Sequence, residues 1–368
     1  MVPAAIALAG LLAGGHLTAP GPADTGFAAT IAKLSEPNGF FWSDNLVSNE
    51  TSYLHVLGAL GRTARPGGVY IGVGPEQNFS YLARLRPAVA FIVDIRRDNL
   101  LLHLLFKAIF ERADTRLEYL CDLYARPCPS NVAGWTRQPV DRLLTYIDTV
   151  AVDTTAAALV RGGLLERVTR YGVPITPAER ATLERLYREF GSRGLDLTFS
   201  AYGGRAVAGF PTVRDLYLAT DLGDRQAGFL ATESDYRLVR DLERADRVIP
   251  VVGDLAGPHA LRAIGDWIRE RGDRLSVFYL SNIEFYLVRQ GTFDQFVANV
   301  KSLPTDESTL LVRSYFSVQT GLPHPNQVAG HLSVQLLQTA TAFLSRTRNR
   351  GALTYWDLMT EGMIPLSP

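Results

Sequence analysis

Residues 69–99, VYIGVGPEQNFSYLARLRPAVAFIVDIRRDN, constrain this chain more than any other stretch. Val69-Tyr70-Ile71 is a short apolar run of β-favouring residues, and Gly72-Val73-Gly74-Pro75 breaks it. Phe79, Leu82 and Leu85 then recur at helical spacing until Arg86-Pro87 ends the segment. Ala88 to Val93 is a second apolar run, closed by Asp94. The pattern predicts strand, glycine turn, helix, strand and terminal carboxylate. Glycines let a backbone turn sharply and approach a ligand, and the following helix offers it unpaired N–H groups.

Gly74 and Asp94 stand about 20 residues apart, the separation between a Rossmann-type turn and its ribose-binding carboxylate. Asp94 is placed to accept hydrogen bonds from a ribose diol. Gln77 occupies the third glycine position of G-x-G-x-x-G, which points away from close pyrophosphate approach and toward a nucleoside without phosphates. GVGPEQNF followed by FIVDIRRDN resembles the first two motifs of class I S-adenosylmethionine-dependent methyltransferases. VVGDLAG (251–257) and VFYLSNIEFYL (277–287) resemble that family's third and fourth strand-end motifs. The combined pattern is also similar to a bacterial protein family with a methyltransferase-like core. The likeness covers roughly 65–110 and 245–320.

The resemblance implies an α/β fold: a doubly wound, mostly parallel Rossmann-like sheet with a helical insertion between its second and third strands. It implies S-adenosylmethionine as cofactor and a small-molecule acceptor. The implied cofactor residues are Gly72, Gly74, Pro75, Glu76, Gln77 and Asn78 at the turn, then Asp94, Ile95 and Arg96. Asp254 and Leu255 follow, with Asp254 on the adenine amino group, and then Ser281 and Asn282. In such folds the segment before the first strand often closes over the cofactor, which makes Trp42, Asp44, Asn45, Ser48, Asn49 and Glu50 contact candidates.

Methyl transfer needs alignment of donor and acceptor, with a base where the acceptor carries a proton. Glu284, Tyr286 and His324 are the candidate bases, and Arg313 and Tyr315 are candidates for an anionic substrate. Strand alternation also explains the last two, and the alternative for Arg96 is a surface ion pair of little stability. There is no G-x-S-x-G elbow and no G-x-x-x-x-G-K-[ST] phosphate loop. Two Cys and six His form no metal-ligand spacing. Lys plus Arg equals Asp plus Glu, 37 each, so no basic excess points to nucleic acid.

The chain divides into an apolar leader or arm (1–25), the first part of the core (26–119), a mainly helical insertion (120–240) and the second part of the core (241–368). PAAIALAGLLAG (3–14) is too short to span a bilayer. It is either the apolar core of a secretory signal, cleaved near Gly21-Pro22-Ala23 but without a basic residue before it, or a first packed helix. Cys121 and Cys128 are either a small-loop disulfide or two free thiols. If the leader exports the protein, the alternative function is a binding module on a methyltransferase-like fold that has lost transfer.

Other expectations follow from pattern. A helix runs from a Ser48 or Asn49 cap to Leu60, and a long helix spans Asp98 to Tyr119. Thr176-Pro177-Ala178-Glu179 starts a helix with a capping box. Ala201-Tyr202-Gly203-Gly204-Arg205 is a loop. Residues 212–220 are extended, 308–318 form a fifth strand, and VQLLQTATAFLSRT forms a C-terminal helix.

Overall fold

The apolar runs form the middle of a mostly parallel six-stranded sheet in a mixed α/β fold. The structure is a computed structural model; it describes residues 26–43, 45–201, 205–206, 209–348 and 354–367. The leader, Asp44 and the centre of the 201–205 loop lie outside the described residues.

The strands are β1 (Val69–Val73), β2 (Val89–Asp94), β3 (Ser200–Ala201), β4 (Arg205–Ala206), β5 (Val248–Val252), β6 (Leu275–Tyr279), β7 (Leu310–Phe316) and β8 (Ser333–Thr339). β3 and β4 form a separate small hairpin, and the main sheet runs β5-β2-β1-β6-β7-β8. All its pairings are parallel except β7 with β8. β1, β5, β6 and β7 are buried at every residue, which is why they read as mostly apolar runs rather than alternating ones, β7 being interrupted by Arg313 and Ser314.

The order sets the layers. From β1 the chain steps outward to β2 and β5, then returns to β6 and steps the other way. Right-handed crossovers moving in opposite directions put their helices on opposite faces. Helices Gln77–Leu85 and Arg97–Arg112 both pack against helix Glu233–Arg244, while Phe27–Leu34, Ala260–Glu270 and Phe293–Ser302 form the second group. Phe79 meets Phe106 and Phe110 in the first layer, with ring centroids 5.6 and 5.1 Å apart. Phe91 of β2 meets Trp267 of the second at 5.0 Å.

The region between β2 and β5 is rich in helices, and two of them, Thr154–Arg170 and Pro177–Arg193, pack on Arg97–Arg112. Thr176 and Glu179 form the expected capping box. The helix expected over 98–119 is two helices, Arg97–Arg112 and Arg116–Leu123, because Thr115 caps a new start with Glu118. Residues 213–218 are helical rather than extended, capped by Thr212 and Asp215. Helix Leu57–Thr63 begins well after Ser48 and Asn49, which cap nothing. Among the described residues no single helix is long and apolar enough to cross a membrane.

Cys121 and Cys128 are joined as a disulfide, with Cα atoms 5.7 Å apart. A cross-link over so short a loop removes limited chain entropy. Replacing both cysteines by serine is expected to cost about 2–3 kcal/mol, read by urea unfolding with and without reductant.

Candidate functional site

β1 runs to Val73, so the turn begins one glycine later than its sequence suggests. Gly72 lies inside the strand; a Cβ there would sit 2.1 Å from Asn78 Oδ1. Gly74 makes the turn, at φ +83°. Asn78 is fully buried and ties the turn together: its Nδ2 donates to the carbonyls of Val73 (3.0 Å) and Pro75 (2.7 Å), and its Oδ1 accepts from Tyr70. Behind the turn, His103 lies 3.0 Å from the Gly74 carbonyl; burial lowers its pKa to about 4, so the neutral ring donates Nε2–H. Glu76 is also buried behind the turn and accepts from Tyr217 at 2.9 Å. Gly72, Glu76 and Asn78 therefore support the turn and do not line the cleft; Gly74, Pro75 and Gln77 do.

That cleft encloses about 960 Å³, open solvent included, at the carboxyl ends of β1, β2, β5 and β6. Asp94 and Asp254 both border it, on adjacent strands: Asp94 pairs with Val252, and Gly253 N–H donates to the Asp94 carbonyl at 2.8 Å. Gly253 is required by close approach, since a Cβ would lie 2.3 Å from that of Ala260. Ile95, Leu255, Ser281 and Asn282 complete the expected set at the cleft.

Arg96 does not line it. Its Nε and Nη2 donate to Asp94 Oδ1 (3.2 Å) and Oδ2 (3.0 Å), and the two side chains are 3% and 9% exposed. This is a buried fork pair, not a surface one, and it fixes the orientation of the Asp94 carboxylate. Asp254 Oδ1 accepts from Ala256 N–H at 2.8 Å. Glu36 holds the same loop from outside, its carboxylate accepting from the N–H groups of Asp254, His259 and Ala260.

Residues 36–43 and 45–50 cross the strand ends as a strap. Glu36 N–H donates to Val252 O (2.7 Å) and Gly39 N–H to Ile95 O (2.8 Å). Phe40, Phe41, Asn45, Val47, Ser48 and Asn49 then face the cleft. Trp42 instead packs between Phe41 and Phe199. Glu50 lies beneath, fully buried, and accepts from Tyr279 (2.7 Å), Ser281 and Gln335 (2.6 Å). Burial pushes its pKa up, and side-chain hydrogen bonds from Ser281, Ser314, Tyr279 and Gln335 oppose that. Gln77 Nε2 donates to Tyr279 at 3.2 Å, while its Oε1 is buried and has no partner.

Of the candidate bases, only Tyr286 borders the cleft. Glu284 pairs with Arg313 at 3.0 Å, both side chains wholly inside. Arg313 also donates to Leu358 O and stacks over Phe343, so it reaches no substrate. Tyr315 is buried and donates to Leu322 O. His324 is buried, its Nε2 3.1 Å from Met359 O and its Nδ1 accepting from Asn326. Ile283 and Leu287, inside the 277–287 strand-end motif, also line the cleft; Phe199, sent in from the region between β2 and β5, and Gln290 carried no signal in the sequence. The Phe40-Phe41-Trp42 run was the one available sign of an aromatic rim.

No curated protein matches the chain. A family model described as "Domain of unknown function (DUF7790)" matches residues 46–127 and 205–361, which include β1, β2 and β5–β8. The strand-end residues Gly74, Asp94, Asp254 and Ser281 all fall inside those segments. The chain belongs to this DUF7790 family.

Proposed function

We propose that the protein is an S-adenosylmethionine-dependent methyltransferase acting on a small-molecule acceptor. One observation carries the reading: a single cleft gathers the Gly74 turn, Asp94, Asp254 and Ser281-Asn282 at four parallel strand ends. Taken in chain order, the main-sheet strands lie third-second-first-fourth-fifth-sixth, the order of Rossmann-type sheets. In that fold ligands bind where the order reverses, and here that is the β1/β6 border.

The chemistry of the lining supports the cofactor. Asp94 and Asp254 are its only charged side chains among the described residues. Two carboxylates and no cation suit a ligand with a positive centre, a ribose diol and an amino group, and suit a pyrophosphate poorly. Asp94 would hold the ribose and Asp254 the adenine amino group. Bound there, S-adenosylmethionine supplies an electrophilic methyl group, and the protein's part is alignment.

Calorimetric titration with S-adenosylhomocysteine tests this. Wild type is expected to bind, Asp254→Ala to bind about 10–100-fold more weakly, and NADH to give no heat. Binding of NADH with no heat from S-adenosylhomocysteine would overturn the reading.

The disulfide favours a second reading, since such bonds persist in oxidising compartments. There the same fold would serve as a binding protein without transfer. Thiol labelling of protein taken directly from its host separates the two: labelled cysteines oppose the second reading.

A further inference from the structure

Glu50 is a buried carboxylate whose hydrogen bonds all come from neutral donors. Tyr279 and Ser281 approach Oε1, and Gln335 approaches Oε2. A carboxylate kept for stability inside a protein normally has a cation beside it, as Glu284 has Arg313. The Glu50 arrangement is costly, and five elements contribute to it: the strap, β6, the turn after it, β7 with Ser314, and β8.

Ser281 links this carboxylate to the cleft. Its hydroxyl donates down to Glu50 while its residue borders the cleft at the end of β6. Its backbone is held at φ +53°, a region non-glycine residues avoid, with its carbonyl accepting from Ser314 N–H at 2.7 Å. Backbone held there against preference is characteristic of a positioned functional group.

The space beside Ser281 selects chemistry. Phe40, Phe41, Phe199 and Tyr286 border the cleft, with Phe41 and Tyr286 edge to face at 5.1 Å. Phe40 is 76% exposed. No Lys, Arg or His is in the lining among the described residues.

Resting on the methyltransferase reading, we infer that the acceptor is a neutral aromatic molecule bearing a hydroxyl or amine, whose proton leaves through Ser281 to Glu50. As the acceptor oxygen forms its bond to the methyl carbon, the carbon–sulfur bond of the donor breaks and sulfur keeps the electron pair. The acceptor's proton passes to Ser281 Oγ and the Ser281 proton to Glu50. A cationic sulfonium and a carboxylate become a neutral thioether and a carboxylic acid, so charge and protons balance. Ser281 is the catalytic residue here and Glu50 the positioning residue acting through it. A base held above the ordinary carboxylate range is closer to the pKa of such an acceptor, which favours the transfer.

The test uses the full chain. S-adenosylhomocysteine calorimetry comes first; absence of binding overturns the methyltransferase reading and the relay with it. With that ligand bound, 1-naphthol, 1-naphthylamine and 1-naphthoate are titrated by their own fluorescence. The two neutral probes are expected to bind at least about tenfold more tightly than naphthoate, and Phe199→Ala to remove that preference. Equal or tighter naphthoate binding overturns the acceptor class while leaving the cofactor reading intact. Methyl transfer from radiolabelled S-adenosylmethionine to 1-naphthol is then followed against pH. Wild type is expected to gain rate as one group deprotonates above the ordinary carboxylate range, then level off. Glu50→Gln and Ser281→Ala are each expected to lose about 100-fold or more, Glu50→Gln also losing that rise and Glu50→Asp restoring it in part. A wild-type far-UV circular dichroism spectrum certifies that each variant is folded. A Glu50→Gln profile like the wild type's, or no transfer by wild type that binds S-adenosylhomocysteine, overturns the relay.

Discussion

Asp94→Ala is expected to lower the free energy of unfolding by about 3–5 kcal/mol, measured by urea denaturation. The reason is Arg96. Three of its donors, the backbone N–H, Nε and Nη2, converge on the Asp94 carboxylate, and the guanidinium is 3% exposed. Truncating the acid removes the carboxylate on which those three donors converge, while the Nη1 bond to the Ser43 carbonyl remains. Asp94→Ala/Arg96→Met is expected to recover most of the loss, because removing both charges leaves neither uncompensated. A single-variant loss below about 1 kcal/mol would contradict this account. Binding experiments at this position therefore need Asp94→Asn, which keeps acceptor and shape.

Glu76→Gln is expected to stabilise the protein at pH 8 by up to about 3 kcal/mol and to change little at pH 4. Burial pushes the Glu76 carboxyl up to about 7 from its ordinary 4.5, with the Tyr217 hydrogen bond pulling the other way. A carboxyl with a raised folded pKa binds its proton more tightly in the native state. Its contribution is fully present below pH 4.5 and is lost as pH rises through about 7. Above that the native state carries a buried charge, with Oε1 lacking a partner. Glutamine reproduces the neutral form at every pH. Unfolding curves of both proteins at pH 4 and pH 8 give the comparison; equal differences at the two values would contradict the assignment.

Strands buried on both faces were legible because burial demands apolar residues throughout. β1, β2, β5, β6 and β7 all stand where continuous Val, Ile, Leu, Phe and Tyr runs lie. β8 was not legible. SVQLLQT carries two glutamines and reads as the start of a helix, and only Ala340–Arg346 after it is helical. Gln335 is inside because it donates to Glu50 and Ser314, partners far away in sequence. The same limit hid the roles of Arg313 and Arg96. A charged residue in an apolar run says nothing of the carboxylate that meets it, and Glu284 and Asp94 fix both. The strand-end positions Asp94, Asp254 and Ser281 were legible since each closes an apolar run before a helix. The turn was misplaced by one glycine, as hydrogen bonding carries β1 through Gly72 to Val73.

The strand order has a consequence for synthesis. β1 and β2 emerge from the ribosome early and pair with one another, yet β2 takes its outer neighbour at Val248 and β1 at Leu275. The β2 margin stays unsatisfied until residue 252 has been made, and the β1 margin until residue 279. In that interval an apolar sheet border is open to nascent copies of the same protein, a route to aggregation that slower synthesis lengthens.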